Sequence, residues 1–435
     1  MRSLSIAPIV VVVVLGLAST AGAAQDMKAP EPGQPATLTL AQLEETAAKC
    51  NPTLAQAAAR VQAAHGQFLQ AGLYPNPVVG YQAVEIGDEG RAGQQGGFVG
   101  QEVVTAGKLR LGQQIVAEEI RQAECALQTQ RCRVLTDVRR AFYEAFVAQR
   151  EIDLTNELVR IGEQGVRAAE QLMKAKEAAR TDLLQARIEA DLAKILQQKA
   201  CNRHIAAWRG LAAVVGDPAL PPVCLVGNLR EGIVDCTWEG AMNRLLAESP
   251  QLAGAQAGVA RAQAALSREW AGRVPNVDLQ MGMQYDNATQ DQIAGVQVGV
   301  PLPIFNRNQG NIRRAQADLI VAQNEVARTR LALQQRLAAV FGQYATARQQ
   351  VDKYASDIVP NAEETLKLVS AGYRQGEFGY LMLLTAQRTY FQTNLAYLDA
   401  LRDLRAASAA IEGNLLFDSL QVAEAGDVGL PAKTN

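Results

Sequence analysis

Six cysteines, two histidines and a scatter of acids are the side chains of this 435-residue chain that could do chemistry. The cysteines are Cys50, Cys125, Cys132, Cys201, Cys224 and Cys236, and none stands in a CxxC or Cys/His cluster. That spacing points away from a zinc site. His65 and His204 stand alone and read as helix-surface residues rather than ligands. Two disulfide pairs are candidates. Cys224 and Cys236 flank a short loop that closes if their Cα atoms come within ~7 Å. Antiparallel packing of the first helix on the long helix after it would put Cys50 level with Cys132. The alternative is six reduced, buried thiols. Glu119 and Glu163 are lone acids of the kind that make a solvated face. No nucleophile elbow, phosphate loop or metal-ligand spacing occurs, so the chain reads as no enzyme, with neither cofactor nor bound metal.

The elements that carry these residues start with an export signal. Arg2 is a positive n-region, Ile6 to Leu17 an apolar core, and Ala21-Gly22-Ala23-Ala24 a small-residue cleavage site, which assigns 1–24 as a signal peptide. A membrane-anchor helix is the alternative, but the core is short for a span. The residue after the cleavage site is Gln25 rather than Cys, so no lipid anchor is expected. Residues 25–40 read as a Pro-rich linker. Net charge is -2 with both signs interspersed, which argues against nucleic acid. Aromatics are only 5%, which suits long helices packed through small residues. Beyond residue 24 no apolar run is long enough for a spanning helix, so any membrane part must be built of strands.

The chain repeats itself. Asn51-Pro52 matches Ser249-Pro250, Pro75-Asn76 matches Pro275-Asn276, and Leu184-Gln185-Ala186 matches Leu384-Thr385-Ala386, at offsets of 198 to 200. Residues 41–216 and 237–417 form the two repeats, 217–236 joins them, and 418–435 is a tail. Each repeat begins with a helix, the second starting near Thr237 and stopping at Pro275. Two extended segments follow, and then a very long helix, 107–176 or 308–372, interrupted by proline only at Pro360. Seventy residues of helix span roughly 105 Å, deeper than any globular core, so these helices must project as a coiled coil or tube. Breaks fall at Lys176–Thr181 and Arg374–Tyr380, and returning helices end near Ala213 and Leu416.

The extended segments are expected at about 78–86, 96–104, 277–285 and 294–302. Val277, Leu279, Met281, Met283 and Tyr285 alternate with Asp278, Gln280, Gly282 and Gln284. Val296, Val298, Val300 and Leu302 alternate likewise. Period two over about nine residues has the length and pattern of a transmembrane barrel strand. Two hairpins of a soluble sheet are the alternative. On the barrel reading Val277, Leu279, Met281, Met283, Val296, Val298 and Val300 face lipid. Four strands cannot close a barrel alone, and open edges fail in lipid, so the chain must oligomerise. Three copies supply twelve strands; two would leave a lumen that side chains nearly fill.

Over nearly all its mature length the chain resembles the TolC-type outer-membrane efflux family. Pro301–Gly310 (PLPIFNRNQG) with Asn311, Ile312 and Ala315 is similar to a marker of that family's heavy-metal cation-efflux branch (CzcC/CusC-like). Tyr74-Pro75-Asn76-Pro77 and Gly107-Lys108-Leu109-Arg110 resemble the same branch. The resemblance implies a mainly α chain forming a homotrimer: a twelve-stranded β-barrel in outer-membrane lipid, a periplasmic α-helical barrel and a mixed equatorial belt. It implies docking on a periplasmic adaptor (membrane fusion) protein and an inner-membrane RND pump. The helix breaks match the family's adaptor-docking tips, which places Arg180, Thr181, Asp182, Leu183, Leu184, Gly376, Glu377, Phe378, Gly379 and Tyr380 in that contact. Asp182 and Tyr373 match positions that hold neighbouring helices together, implying a closure contact in which the Tyr373 hydroxyl donates to the Asp182 carboxylate. Acids that ring the pore of drug-export members fall on Met382 and Thr385, and an arginine of their closing contacts on Phe378. The expected role is a passive exit duct for divalent heavy-metal cations. The other readings are the same channel exporting drugs or secreted protein, or a soluble periplasmic coiled-coil adaptor.

Overall fold

The computed structural model describes residues 37–90, 92–176, 179–233, 235–375 and 377–421. The assigned signal peptide, most of the 25–40 linker, Gly376 and residues 422–435 of the expected tail lie outside the described residues. Order starts before the expected end of the linker. Strand β1 (Thr37–Leu38) pairs in parallel with β4 (Cys224–Leu225) of the joining segment. Thr39 then caps α1 (Leu40–Cys50) in a capping box with Gln42.

Each repeat opens with two helices where the periodicity predicts one. Helix α1 stops at Asn51, which caps α2 (Pro52–Gly72); in the second repeat α5 (Trp238–Glu248) stops at Ser249, which caps α6 (Pro250–Ala271). The residue before a proline is pushed out of the helical region. Asn51 has ψ 119° and Ser249 ψ 115°, while the prolines fit the first helical turn. The apolar stripe continues across the break, and so hides it from a reading of periodicity.

The strands are β2 (Val78–Val84), β3 (Gln94–Val103), β5 (Val277–Asp286) and β6 (Gln292–Gly299). They form one antiparallel sheet in the order β2-β3-β5-β6. Two ends differ from expectation. Strand β2 stops at Val84 because Glu85 takes φ 58°. Strand β6 stops at Gly299, opposite Asp278, short of Pro301, which has no N–H to continue the ladder.

Helix α3 (Lys108–Lys174) has 67 residues, or about 100 Å of rise. Helix α4 (Arg180–Val215) returns along it. In the second repeat the long helix is not continuous. It runs as α7 (Gln309–Lys353), passes through a π-helical turn (Tyr354–Ile358), and resumes as α8 (Val359–Arg374). Pro360 lacks the N–H that an α-helical ladder needs, and the wider turn lies just ahead of it. Helix α9 (Tyr380–Glu412) returns.

The main core lies midway along the helices. Leu43, Phe142, Phe146, Trp208, Leu211, Leu225, Leu333, Leu337 and Leu404 meet there with many alanines. The joining segment is fastened to this core by a buried cation. Arg405 donates to the carbonyls of Leu229 (2.8 Å), Asn228 (3.0 Å) and Glu231, and its guanidinium lies 4.9 Å from the Tyr143 ring centre.

Candidate functional site

Two regions carry the functional reading: the sheet at one end of the helices and the helix breaks at the other. The register gives the sheet two unlike faces. One face carries the row Val79, Val99, Met281, Val296 and the next row Tyr81, Gly97, Met283, Ala294. The opposite face carries Val78, Gly100, Gln280, Gln297 and then Gln82, Gly96, Gln284, Ile293. Met281 (63% exposed), Met283, Leu279, Val296 and Val298 all stand open on the first face, with Val277 in line beside Val103. Val300 follows the last paired residue of β6. On the second face Phe98 lies across Gly80 and Gly282, which have no side chains to obstruct it.

Where the sheet meets the helices, the two repeats are clasped together. Lys108, buried at the start of α3, donates its ammonium to Asn276 Oδ1. Asn276 Nδ2 donates to Glu102 Oε1 at 2.6 Å, and the Thr105 hydroxyl donates to the Pro275 carbonyl at 2.6 Å. The corresponding turn into α7 carries Leu302, Ile304 and Phe305 on its surface, Phe305 being 90% exposed. Asn308 stands at the N-cap position of α7 with φ 59°, and its side chain makes no capping bond but donates to the Glu269 carboxylate at 2.6 Å.

At the other end, the expected docking residues separate into two groups. Leu183 is buried with Ala169 and Ala186 in a small core that Val166, Met173 and Tyr380 complete. It is therefore a packing residue of the tip and cannot be a contact surface. Arg180, Thr181, Leu184, Glu377, Phe378 and Gly379 are exposed, and Asp182 and Tyr380 are half-buried. Phe378 folds back onto Gly372, where an added Cβ would lie 2.6 Å from its Cε2. Two further apolar residues stand exposed at the tip that the sequence reading did not include in the docking set, Leu381 (72%) and Met382. The signal for them was available: both are apolar in the first turn of a helix that follows a break.

The expected closure bond is not made within the chain. Tyr373 packs on Tyr380 with ring centres 6.1 Å apart. Asp182 lies in the first turn of α4, where its charge complements the helix dipole. Burial, with the Asp182 carboxylate nearby, pushes the Tyr373 hydroxyl above the usual tyrosine range. Neither candidate disulfide is formed. All six cysteines are free, with Cys50 and Cys224 exposed. Cys224 is held in β4 beside the Gln149 amide, while the Cys236 amide donates to the Tyr344 hydroxyl at 3.4 Å.

A chain of two helical-hairpin repeats with a four-stranded sheet shared between them is the architecture of a channel-wall subunit. The outer membrane efflux protein family matches residues 43–217 and again 241–415, and the chain belongs to it. The cobalt-zinc-cadmium resistance protein CzcC of Cupriavidus metallidurans is 26% identical over 377 residues, covering 86% of this chain and 89% of that protein. Protein CyaE of Bordetella pertussis is 26% identical over 226 residues, about half of each chain. Among solved structures, the outer-membrane channel OprN superposes with TM-score 0.73 at 20% identity, over 86% of this chain and 89% of that one. CusC, described in a study of transmembrane channel formation, superposes with TM-score 0.69 at 19% identity, over 86% and 91%. These likenesses agree with the fold derived from the residues.

Proposed function

We propose that three copies of this chain form an outer-membrane exit duct for divalent heavy-metal cations, served by a periplasmic adaptor and an inner-membrane RND pump. The observation that carries the channel reading is the sheet: one face exposes Val79, Val99, Met281, Met283, Val296 and Val298, with Gln101, Gln95 and Gln292 only toward its two ends, the other carries Gln82, Gln280, Gln284 and Gln297, and both edges are open. Such a sheet suits lipid on one side and water on the other only when copies close it. The cargo reading rests on the near full-length similarity to CzcC. In this reading the apolar face of β2, β3, β5 and β6 meets lipid, and the helices project into the periplasm. The adaptor docks on the exposed tip residues Arg180, Thr181, Leu184, Glu377 and Phe378. The chain itself acts as a conduit and no enzyme. Gln280, Gln297 and Gln284 offer the passing ion a hydrated wall.

Deleting the chain from its host tests this function. Sensitivity to cobalt, zinc or cadmium should rise and be restored by the full chain, with drug tolerance unchanged. Unchanged metal tolerance together with lost drug tolerance would move the cargo to the second reading. Recovery of the protein from the soluble periplasm instead of the outer membrane would remove the channel.

A further inference from the structure

The end of α6 and the turn from β6 into α7 bring cations and an apolar surface together. Trp270, Arg273, Val274, Pro303 and Arg307 line an open groove of about 460 Å³. It lies where the sheet meets the helices, just before β5 starts at Val277 and just after β6 ends at Gly299. Leu302, Ile304 and Phe305 stand exposed on the same turn. Through the exposed Val300 they continue the apolar row of Val296 and Val298.

The charge of this corner is unbalanced. Residues 268–276 and 300–309 carry three cations, Arg268, Arg273 and Arg307, against one acid, Glu269. Glu269 is already engaged by the Asn308 amide at 2.6 Å. Arg273 lies over the Trp270 ring, 5.4 Å from its centre, and Arg307 donates one N–H to the Ile304 carbonyl at 3.3 Å. Neither arginine meets an acid among the described residues. Two guanidiniums therefore line one groove with donors to spare.

The first repeat shows that the turn does not need these groups. Gly107 and Asn308 both take the left-handed conformation ahead of the long helix, at φ 64° and 59°. Pro75-Asn76 matches Pro275-Asn276. Through these anchors Trp270 maps onto Gln70, Arg273 onto Leu73 and Arg307 onto Ala106. The same backbone plan is built there without the indole or either cation, so folding of the turn does not account for them.

We infer that this groove seats the headgroup of a glycerophospholipid from the periplasmic leaflet of the membrane. The phosphodiester lies between Arg273 and Arg307, and the acyl chains run along Phe305, Leu302 and Val300. The inference rests on the proposed channel, which puts this turn at the rim of the hydrocarbon. A planar guanidinium fork matches phosphate oxygens in pairs. Tryptophan favours the headgroup level, and basic pockets on that side of a membrane take acidic headgroups. A free phosphate would answer the arginines and leave the apolar turn uncovered.

Native mass spectrometry tests the site on the full chain, delipidated as the detergent-solubilised oligomer and titrated with phosphatidylglycerol. The variants are Arg273→Gln, Arg307→Gln and the two together. Arg110→Gln is the control, because it removes an exposed cation from the first turn of α3, the matching level of the first repeat. Each groove arginine should cost about fivefold in lipid affinity, and the pair about twenty-five-fold. Arg110→Gln should leave affinity unchanged. Both groove arginines are exposed, so the oligomer should assemble as in wild type, and the single variants carry the comparison if the double one assembles poorly. Glycerol 3-phosphate, which has the phosphate and no acyl chains, should not displace the lipid at equal concentration. Displacement overturns the lipid and leaves an anion site. Unchanged affinity in the groove variants, or an equal loss in Arg110→Gln, overturns the site and leaves the channel standing. Recovery of the chain from the soluble periplasm overturns the channel and the site together.

Discussion

Phe98 of β3 lies across Gly80 of β2, so that a Cβ added at Gly80 would meet the edge of its ring. The glycines of this sheet differ sharply in what surrounds them. A Cβ at Gly96 would run into the Met283 carbonyl of the neighbouring strand, whereas at Gly97 the nearest atom is the Gly80 carbonyl oxygen at 3.8 Å. A ring can pivot and a paired strand cannot. Gly96→Ala should therefore abolish folded protein in the membrane, and Gly97→Ala should leave it at wild-type level. Gly80→Ala should cost about 1–3 kcal/mol, as overpacking does. Phe98→Ala should recover most of that loss in the double variant. Heat-resistant oligomer on semi-native gels reads all four; equal loss at Gly96 and Gly97 would show that β3 does not pair with β5 as described.

Met281 and Gln280 are adjacent in β5 and point to opposite faces. On the proposed wall, Arg at Met281 places a charge in lipid and should cost about 2–4 kcal/mol near the midplane. Arg at Gln280 faces water and should be tolerated. Outer-membrane yield of the two variants decides between the barrel and a soluble sheet, which predicts similar yields for both.

Much of this architecture was legible in the sequence because its signals are long or repeated. Period two over nine residues located the strands, and the 200-residue offset located the second repeat from the first. What escaped were features decided by a single backbone position or by contact across the chain. The Asn51-Pro52 and Ser249-Pro250 breaks preserve the apolar stripe, so periodicity runs straight over them. Leu183 and Leu184 look alike in sequence, and only the packing of α4 on α3 buries one and exposes the other. Arg405 has the appearance of an ordinary helix-surface cation until the joining segment wraps over it.

The split at the tip gives a contrast between neighbours. Leu183 fills the small tip core, while Phe378 and Leu381 are accessible. Phe378→Asp with Leu381→Asp should reduce metal resistance to that of the deletion while the oligomer stays intact. Leu183→Asp should lose resistance differently. An aspartate in place of a buried leucine costs about 2–5 kcal/mol, so protease should cut the tip. Full resistance in the Phe378/Leu381 double variant would take these residues out of the docking surface.

Within the chain Tyr373 packs against Tyr380, the rings tilted by 57°, rather than bonding Asp182, and this alters what its substitution should do. Tyr373→Phe retains the ring and removes only the hydroxyl, so single-channel conductance in planar bilayers should match wild type. Asp182→Ala removes a favourable charge from the first turn of α4 and should loosen that helix start by about 0.3–1 kcal/mol. Faster amide exchange at residues 180–184 would register it. Raised conductance in Tyr373→Phe would restore the hydroxyl to a closing contact.

Glu151 is a buried acid midway along the helices, its side chain 7% exposed, and it accepts a 2.5 Å bond from Arg203. Arg203 also approaches Asp399 at 3.5 Å, and Asp399 pairs with Arg402 at 2.7 Å. Burial outweighs the arginines and raises the Glu151 carboxyl above the usual glutamate range. A folded-state value above the unfolded one means that the native chain holds this proton the more tightly. The stability linked to it is complete below the ordinary glutamate range and falls away as pH rises through the raised value. Arg203→Met removes the chief compensating charge and pushes the carboxyl further up. Its cost should therefore grow with pH, reaching about 3–5 kcal/mol where the carboxylate must stay charged without its partner. Glu151→Gln removes the charge itself and should flatten that dependence, even alongside Arg203→Met. Thermal unfolding of the purified protein at pH 5 and pH 8 measures both. If Arg203→Met lowers the midpoint equally at the two values, Glu151 is not the group that titrates, and Arg203 acts through packing alone.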